Sequence, residues 1–160
     1  MTSEGLLPAF EYFIDFEASG LSPDSYPIEV AVVGPRTRYS TLIMPCRYWN
    51  HWSYDAQDMH GLTREDLINF GLTPAAVARE LNERFSGKIL WADSSYDALW
   101  MDVLFEAAEA EPSFLVRNYF DLMDESMRMK YLQLMPQVCA HRALPDAMKN
   151  RSTLHAAFAR

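Results

Sequence analysis

The chain reads as an α/β domain whose mixed five-stranded sheet is flanked by helices. Three observations carry that reading. Short apolar strands crowd the first 44 residues, helix-period segments alternate with single strands after them, and capping signals punctuate the second half. Residues 9–17 are apolar and aromatic, as a buried central strand requires. Pro23 and Pro27 bracket a turn, after which Ile28–Val33 and Arg38–Met44 read as second and third strands of an antiparallel meander. Residues 47–54 form an aromatic-rich loop, read chiefly as a flap over the core edge, with base stacking as the alternative. Thr63-Arg64-Glu65-Asp66 has the form of a capping box opening a short helix. Thr73-Pro74 opens another, with Val77, Leu81 and Phe85 at spacing four. Ser86-Gly87 ends that helix. Lys88–Ala92 is a short strand, 96–110 a helix, Phe114–Leu122 a fifth strand, and 123–134 a Met-rich helix read as adaptable packing or a subunit contact. Pro145 starts the last helix, 145–158. Single strands separated by helices imply parallel crossovers after the hairpins.

With 160 residues and no Pro/Gly/Ser linker, a single domain over 1–160 is expected. Half the residues are hydrophobic (49%) and 13% are aromatic, which excludes a disordered chain. No apolar run has membrane-spanning length, and Met1–Gly5 lacks a basic segment ahead of an apolar one, so no secretory signal is read. Cys46 and Cys139 are far apart and in no ligand spacing. Free thiols in a reducing compartment follow, and a cytoplasmic location with them. The net charge of −8 disfavours gripping long duplexes by charge. Two bound divalent cations would halve it.

The chemistry lies in scattered acids. Asp15 and Glu17 are two apart on a strand and therefore share a face, with Phe16 turned into the opposite layer. Buried carboxylates need a partner, and a cation is the natural one. Asp97 opens a helix after a short strand, with Asp93 and Asp102 as local rivals. His141 and Asp146 are separated by Pro145, which puts the histidine on a loop and the acid in the first helical turn. An imidazole there can take a proton near neutrality. Each element alone also fits a bland reading: exposed strand-end acids, a helix-dipole charge, a structural histidine. Together they point to one cage for a pair of divalent cations, the arrangement that phosphodiester hydrolysis uses.

The ordered set resembles the histidine subclass (DEDDh) of the DEDD 3′→5′ exonucleases, the group of ribonuclease T, oligoribonuclease and DNA polymerase III epsilon. The matching blocks are Phe13–Leu21, Asp93–Asp97 and His141–Ala147. Met59-His60-Gly61-Leu62-Thr63, Ile28–Ala31 and Phe120–Asp124 are similar to further segments of that family, so the likeness covers about residues 9–158. It implies a ribonuclease H-like fold and two Mg²⁺ or Mn²⁺ ions on Asp15, Glu17, Asp97 and Asp146, with His141 as general base. It further implies contacts to the terminal nucleotide around Ala18, Leu21 and His60. Tyr96 beside Asp97 is a further candidate, read chiefly as core, and the basic cluster Arg142, Lys149 and Arg151 is a candidate phosphate holder, read chiefly as a solvated helix face. The expected substrate is a single-stranded or 3′-terminal nucleic acid, RNA or DNA and short, released as nucleoside 5′-monophosphates. A homodimer is compatible with the family. The sequence departs from the family at Asp93-Ser94, where His-Asn is usual, and at Ala18-Ser19, where Thr-Thr is frequent. Two other readings fit the same sequence: a silent nucleic-acid-binding or scaffold module of the same fold, and a proofreading subunit bound to a polymerase.

Overall fold

The computed structural model describes residues 7–158; Met1–Gly5, the far end of the 1–160 domain and any reading of them lie outside it. Five strands are present: β1 Tyr12–Ala18, β2 Pro27–Val33, β3 Arg38–Leu42, β4 Ile89–Ala92 and β5 Leu115–Asn118. They form one sheet in the order β3-β2-β1-β4-β5. The first two pairings are antiparallel and the last two parallel, as hairpins followed by crossovers require. The helices are α1 Tyr54–His60, α2 Arg64–Phe70, α3 Pro74–Phe85, α4 Ser95–Ala108, α5 Glu125–Leu134 and α6 Ala143–Phe158.

Strand alternation divides the core into two layers. Ile14 and Phe16 of β1 join Val30 and Val32 of β2 in a layer with Val77, Leu81 and Phe85 of α3 and Leu104 of α4. Phe13, Ala31, Val33 and Trp91 face the other way, onto Tyr119, Tyr131 and Ala147, Leu154 of α6. Asp15 and Glu17 have the same parity as Phe13 and so point toward the α6 side, at the carboxyl end of β1.

Local chemistry explains most boundaries. Thr63 caps α2 by accepting from the Asp66 N–H, and Asp66 returns the bond to the Thr63 N–H. Pro74 stands at the start of α3 behind a Thr73 cap. Pro145 is the third residue of α6, where its missing N–H costs no helical bond, so the helix begins two residues earlier than the proline indicates. The fifth strand is shorter than expected. The Asn118 side chain accepts from the Phe120 N–H and turns the chain into a short 3₁₀ segment, Tyr119–Leu122. Helix α1 has no counterpart in the sequence reading, because His60 is its only buried residue and it offers no apolar period. Its signals are local instead: a Ser53 cap and Gly61 in left-handed conformation (φ 74°) at its end.

The aromatic loop packs chiefly as a flap. Trp49 is buried and stacks on Tyr26 with centroids 5.1 Å apart, and Arg64 donates to the Tyr26 hydroxyl and the Trp49 carbonyl. Met123, Met127 and Met135 pack on the α6-side core, while Met129 is exposed. Cys46 and Cys139 are both free. No helix among the described residues is long and apolar enough to cross a membrane.

Candidate metal centre

Four elements deliver acids to one place at the carboxyl end of β1. Asp15 comes from the strand interior and is buried; Glu17, half-buried, follows two residues later at the strand's end. Asp97 lies in the first turn of α4 and is 3% exposed. Its Oδ1 accepts from the Phe16 N–H at 3.0 Å, tying the start of α4 to β1, and the Ser94 hydroxyl donates to Oδ2 at 3.3 Å. Asp146 lies in the first turn of α6, also buried, and accepts from the Ala140 N–H at 3.2 Å. The Cys139 thiol donates to both of its oxygens at 3.4 Å, and Lys149 Nζ lies 3.8 Å away.

Two groups of ligand oxygens result. Asp15, Glu17 and Asp146 present oxygens within 4.8 Å of one another, and so do Asp15, Asp93 and Asp97. Asp15 belongs to both, and its buried Oδ2 has no hydrogen-bond partner among the described residues. The electrostatics are correspondingly tense. Burial raises the Asp15 carboxyl well above the usual carboxylate range, with further upward pushes from Asp97, Asp93, Glu17 and Asp146. Burial, then Asp146 and Glu29, push Glu17 up to about 8. Burial and Asp93 push Asp97 up to about 8, against the lowering bonds from Phe16 and Ser94. Carboxylate oxygens converging in a largely buried cage, with Asp15 Oδ2 unpartnered, fit hard divalent cations, which take oxygen ligands and relieve this repulsion.

His141 lies on the loop just before α6 with a left-handed backbone (φ 53°) and is half-buried. Its ring belongs to neither acid group. Ala18, Leu21, His60 and Tyr96 line one cavity of about 450 Å³ together with Asp15, Glu17, Asp93 and Asp97. Leu21 is 72% exposed at its rim, and Tyr96, half-exposed, stacks on Trp100 with centroids 6.1 Å apart. His60 Nδ1 accepts from the Leu62 N–H at 3.0 Å, so the neutral ring carries its proton on Nε2. That Nε2 is buried without a partner, and burial lowers the imidazole's pKa. His60 thus keeps a neutral, uncommitted donor in the cavity wall.

Arg142 is not among the lining residues. Its Nε and Nη2 grip Glu29 at 2.7–3.1 Å, and the Ala143 N–H donates to the same carboxylate at 2.7 Å. Lys149 faces Asp146 instead, and Arg151 donates to the Glu11 carbonyl at 3.1 Å.

Two positions of the site are not singled out by the sequence pattern. Asp93 stands there as a rival to Asp97, whereas both reach Asp15. Glu29 is the one acid in the otherwise apolar strand Pro27–Val33, paired across the sheet with Glu17. A buried acid in an apolar strand demands a partner, and Arg142 with the first N–H of α6 supplies it.

No family model matches the sequence. Among curated proteins no sequence match is found either. Solved structures give a clear result. Escherichia coli exonuclease I in complex with a dA16 oligonucleotide superposes with a TM-score of 0.70 at 14% identity, over 90% of this chain and 40% of that one. Its zinc-bound complex with single-stranded DNA gives 0.69 at 16% identity over 90% and 39%. Exonuclease I of Methylocaldum szegediense gives 0.63 at 15% identity over 90% and 39%. The fold is the ribonuclease H-like fold of exonuclease I. The chain spans about two-fifths of the length of these exonucleases, and at such identities the likeness is one of fold.

Proposed function

We propose that this protein is a metal-dependent 3′→5′ exonuclease acting on single-stranded nucleic-acid ends and releasing nucleoside 5′-monophosphates. The observation that carries the reading is the convergence of five carboxylates, Asp15 among them, from the ends of two strands and the first turns of two helices, with one Asp15 oxygen left unpartnered. The resemblance to DEDDh exonucleases and the shared fold point the same way. Two divalent cations, Mg²⁺ or Mn²⁺, would supply charge neutralisation and water activation for in-line hydrolysis when bound. Asp15 is shared between the two oxygen sets, with Glu17 and Asp146 completing one and Asp97, joined by Asp93, the other.

His141 accepts the proton of the attacking water. Its loop position leaves the ring free to swing toward the cage, while α6 anchors the chain on either side through Asp146 and Glu29. Leu21, Ala18 and Tyr96 offer apolar and aromatic surface to the terminal nucleotide, and His60 Nε2 offers a hydrogen bond. The acidity of the chain favours short strands, RNA or DNA, over duplex. The E. coli exonuclease I structures hold single-stranded DNA, which makes DNA the first substrate to test.

The deciding experiment is a substrate panel under Mg²⁺ and Mn²⁺: single-stranded DNA and RNA, overhanging duplexes and dinucleotides, with Asp15→Ala and His141→Ala as controls. Mononucleotide release from 3′ ends, lost in both variants, is expected. No release from any substrate under either metal would refute the proposal. A calorimetric titration showing no Mn²⁺ binding would favour a silent module instead.

A further inference from the structure

A second cavity, of about 370 Å³, lies at the opposite end of the sheet from the acids. The β2–β3 hairpin forms one wall and the middle of α6 the other. Its charged lining residues are Arg36, Arg38 and Arg151, accompanied by the hydroxyl residues Thr37 and Ser152, and no acid lines it. None of the three arginines belongs to an ion pair among the described residues. In a chain carrying −8, three guanidinium groups without an ion-pair partner around one hollow call for an anion.

The walls are fixed. Gly34 N–H donates to the Thr37 carbonyl at 3.0 Å, closing the hairpin turn that carries Arg36. A Cβ at Gly34 would lie 2.6 Å from the Tyr12 ring, so only glycine allows this approach. Arg151 uses Nε on the Glu11 carbonyl, which leaves its two outer nitrogens for a ligand. Cavity and acid centre share the α6 side of the sheet, because Val33 pairs with Phe13 and Glu29 with Glu17 on strands of matching parity. Glu17 lies four residues and Asp15 two residues along β1 from Phe13, about 13 Å and about 7 Å respectively, and no carboxylate lines the cavity itself.

We propose that this cavity is a phosphate-binding site that holds the backbone of a single-stranded substrate several residues away from the end being cleaved. The proposal rests on the exonuclease reading for the direction of the strand. What favours a nucleic-acid phosphate over an acidic peptide is continuity: α6 leads from Asp146 at the acids to Arg151 and Ser152 at the cavity. A strand with its 3′ end at Asp15 needs a cationic foothold beyond the acidic rim, and this cavity supplies one.

The test compares the wild type with Arg36→Ala/Arg38→Ala and with Arg36→Glu/Arg38→Glu, both confined to the exposed hairpin, with folding checked by thermal unfolding. Binding of a dinucleotide and of progressively longer single strands is followed by fluorescence anisotropy in EDTA over a salt series. Hydrolysis of the same strands is followed in Mn²⁺. For long strands the alanine pair should weaken binding at least about tenfold and flatten the log-affinity against log-salt slope by about 1.4, two phosphate contacts' worth. The glutamate pair should weaken it further, and dinucleotide hydrolysis should stay unchanged. Unchanged long-strand affinity and slope would overturn the proposal. So would equal losses on the dinucleotide, a poly-glutamate peptide that outcompetes the strand, or inorganic phosphate binding with no gain from strand length. Arginine-dependent binding of long strands without hydrolysis of any would support the cavity while the exonuclease reading fails.

Discussion

The acid centre makes metal-free stability depend on pH with an unusual sign. Carboxylates normally have native pKa values at or below their unfolded ones and stabilise the fold as pH rises. Here burial and mutual repulsion hold Glu17 and Asp97 at about 8, against ordinary values near 4. Between these limits the native state binds more protons than the unfolded chain, so stability is present at low pH and is lost as pH rises toward 8. His60 opposes this only below about 6.5, where the unfolded imidazole takes a proton that the buried one resists. The clean window is therefore pH 6.5–8.

Each natively held proton there costs about 1.4 kcal/mol per pH unit, or about 2 kcal/mol across the window. Because the acids titrate together, the protons belong to the cluster rather than to named residues. For a domain of this size, about 2–4 °C per kcal/mol converts one such proton into a fall of about 4–8 °C in Tm. Differential scanning calorimetry in EDTA at pH 6.5 and 8 should show that fall. Mg²⁺ or Mn²⁺ should abolish it and raise Tm most at pH 8, where the ions no longer compete with protons. Asp15→Asn should flatten the metal-free profile by removing the central charge. A metal-free Tm that rises with pH across this window, or a metal effect no larger at pH 8 than at 6.5, would refute the account of the cage.

Other consequences are direct. His141→Ala should lower the hydrolysis rate by about 10²–10⁴ while Mn²⁺ binding by calorimetry stays intact, since the ring is in neither oxygen set. Asp93→Asn should weaken the ion at the Asp15–Asp97 side by about 10–100-fold and leave the other site near its wild-type affinity, read as the split of a two-site titration. Glu29→Ala should destabilise the fold by about 1–3 kcal/mol in urea unfolding, because it strands the Ala143 N–H and frees Arg142. Glu29→Gln, which keeps a carbonyl acceptor, should recover part of that loss.

What the sequence disclosed and what it withheld follow from the range of the interactions. Capping and periodicity act over four residues, so the Thr63 box, the Thr73-Pro74 start and the Val77–Leu81–Phe85 face stand where the sequence placed them. Helix α1 obeys the same local rules but buries only His60, and without an apolar stripe its Ser53 and Gly61 caps had nothing to bracket. The carboxylates mark the next scale. Asp15 and Glu17 share a face by strand parity alone, yet their meeting with Asp97 depends on the Phe16 N–H bond across 81 residues, and that with Asp146 on the packing of α6 over β1. Asp93 shows where a single acid becomes ambiguous: one position beyond β4, a side chain can follow the strand's parity toward the cage or turn out with the loop. Tertiary register decides, because Phe13 pairs with Trp91 and brings the end of β4 alongside Asp15. Glu29 is more legible. A lone acid in a buried strand requires a cation or a donor, and among the described residues Arg142 and the opening N–H of α6 are its hydrogen-bond partners. That pairing places the His141 loop between two buried acids, Glu29 and Asp146, which fix the start of α6 from both sides. On the exonuclease reading, the histidine proposed as general base is thereby held between two anchored points, and a substitution at Glu29 should act both through this hinge and through the charge it removes from beside Glu17.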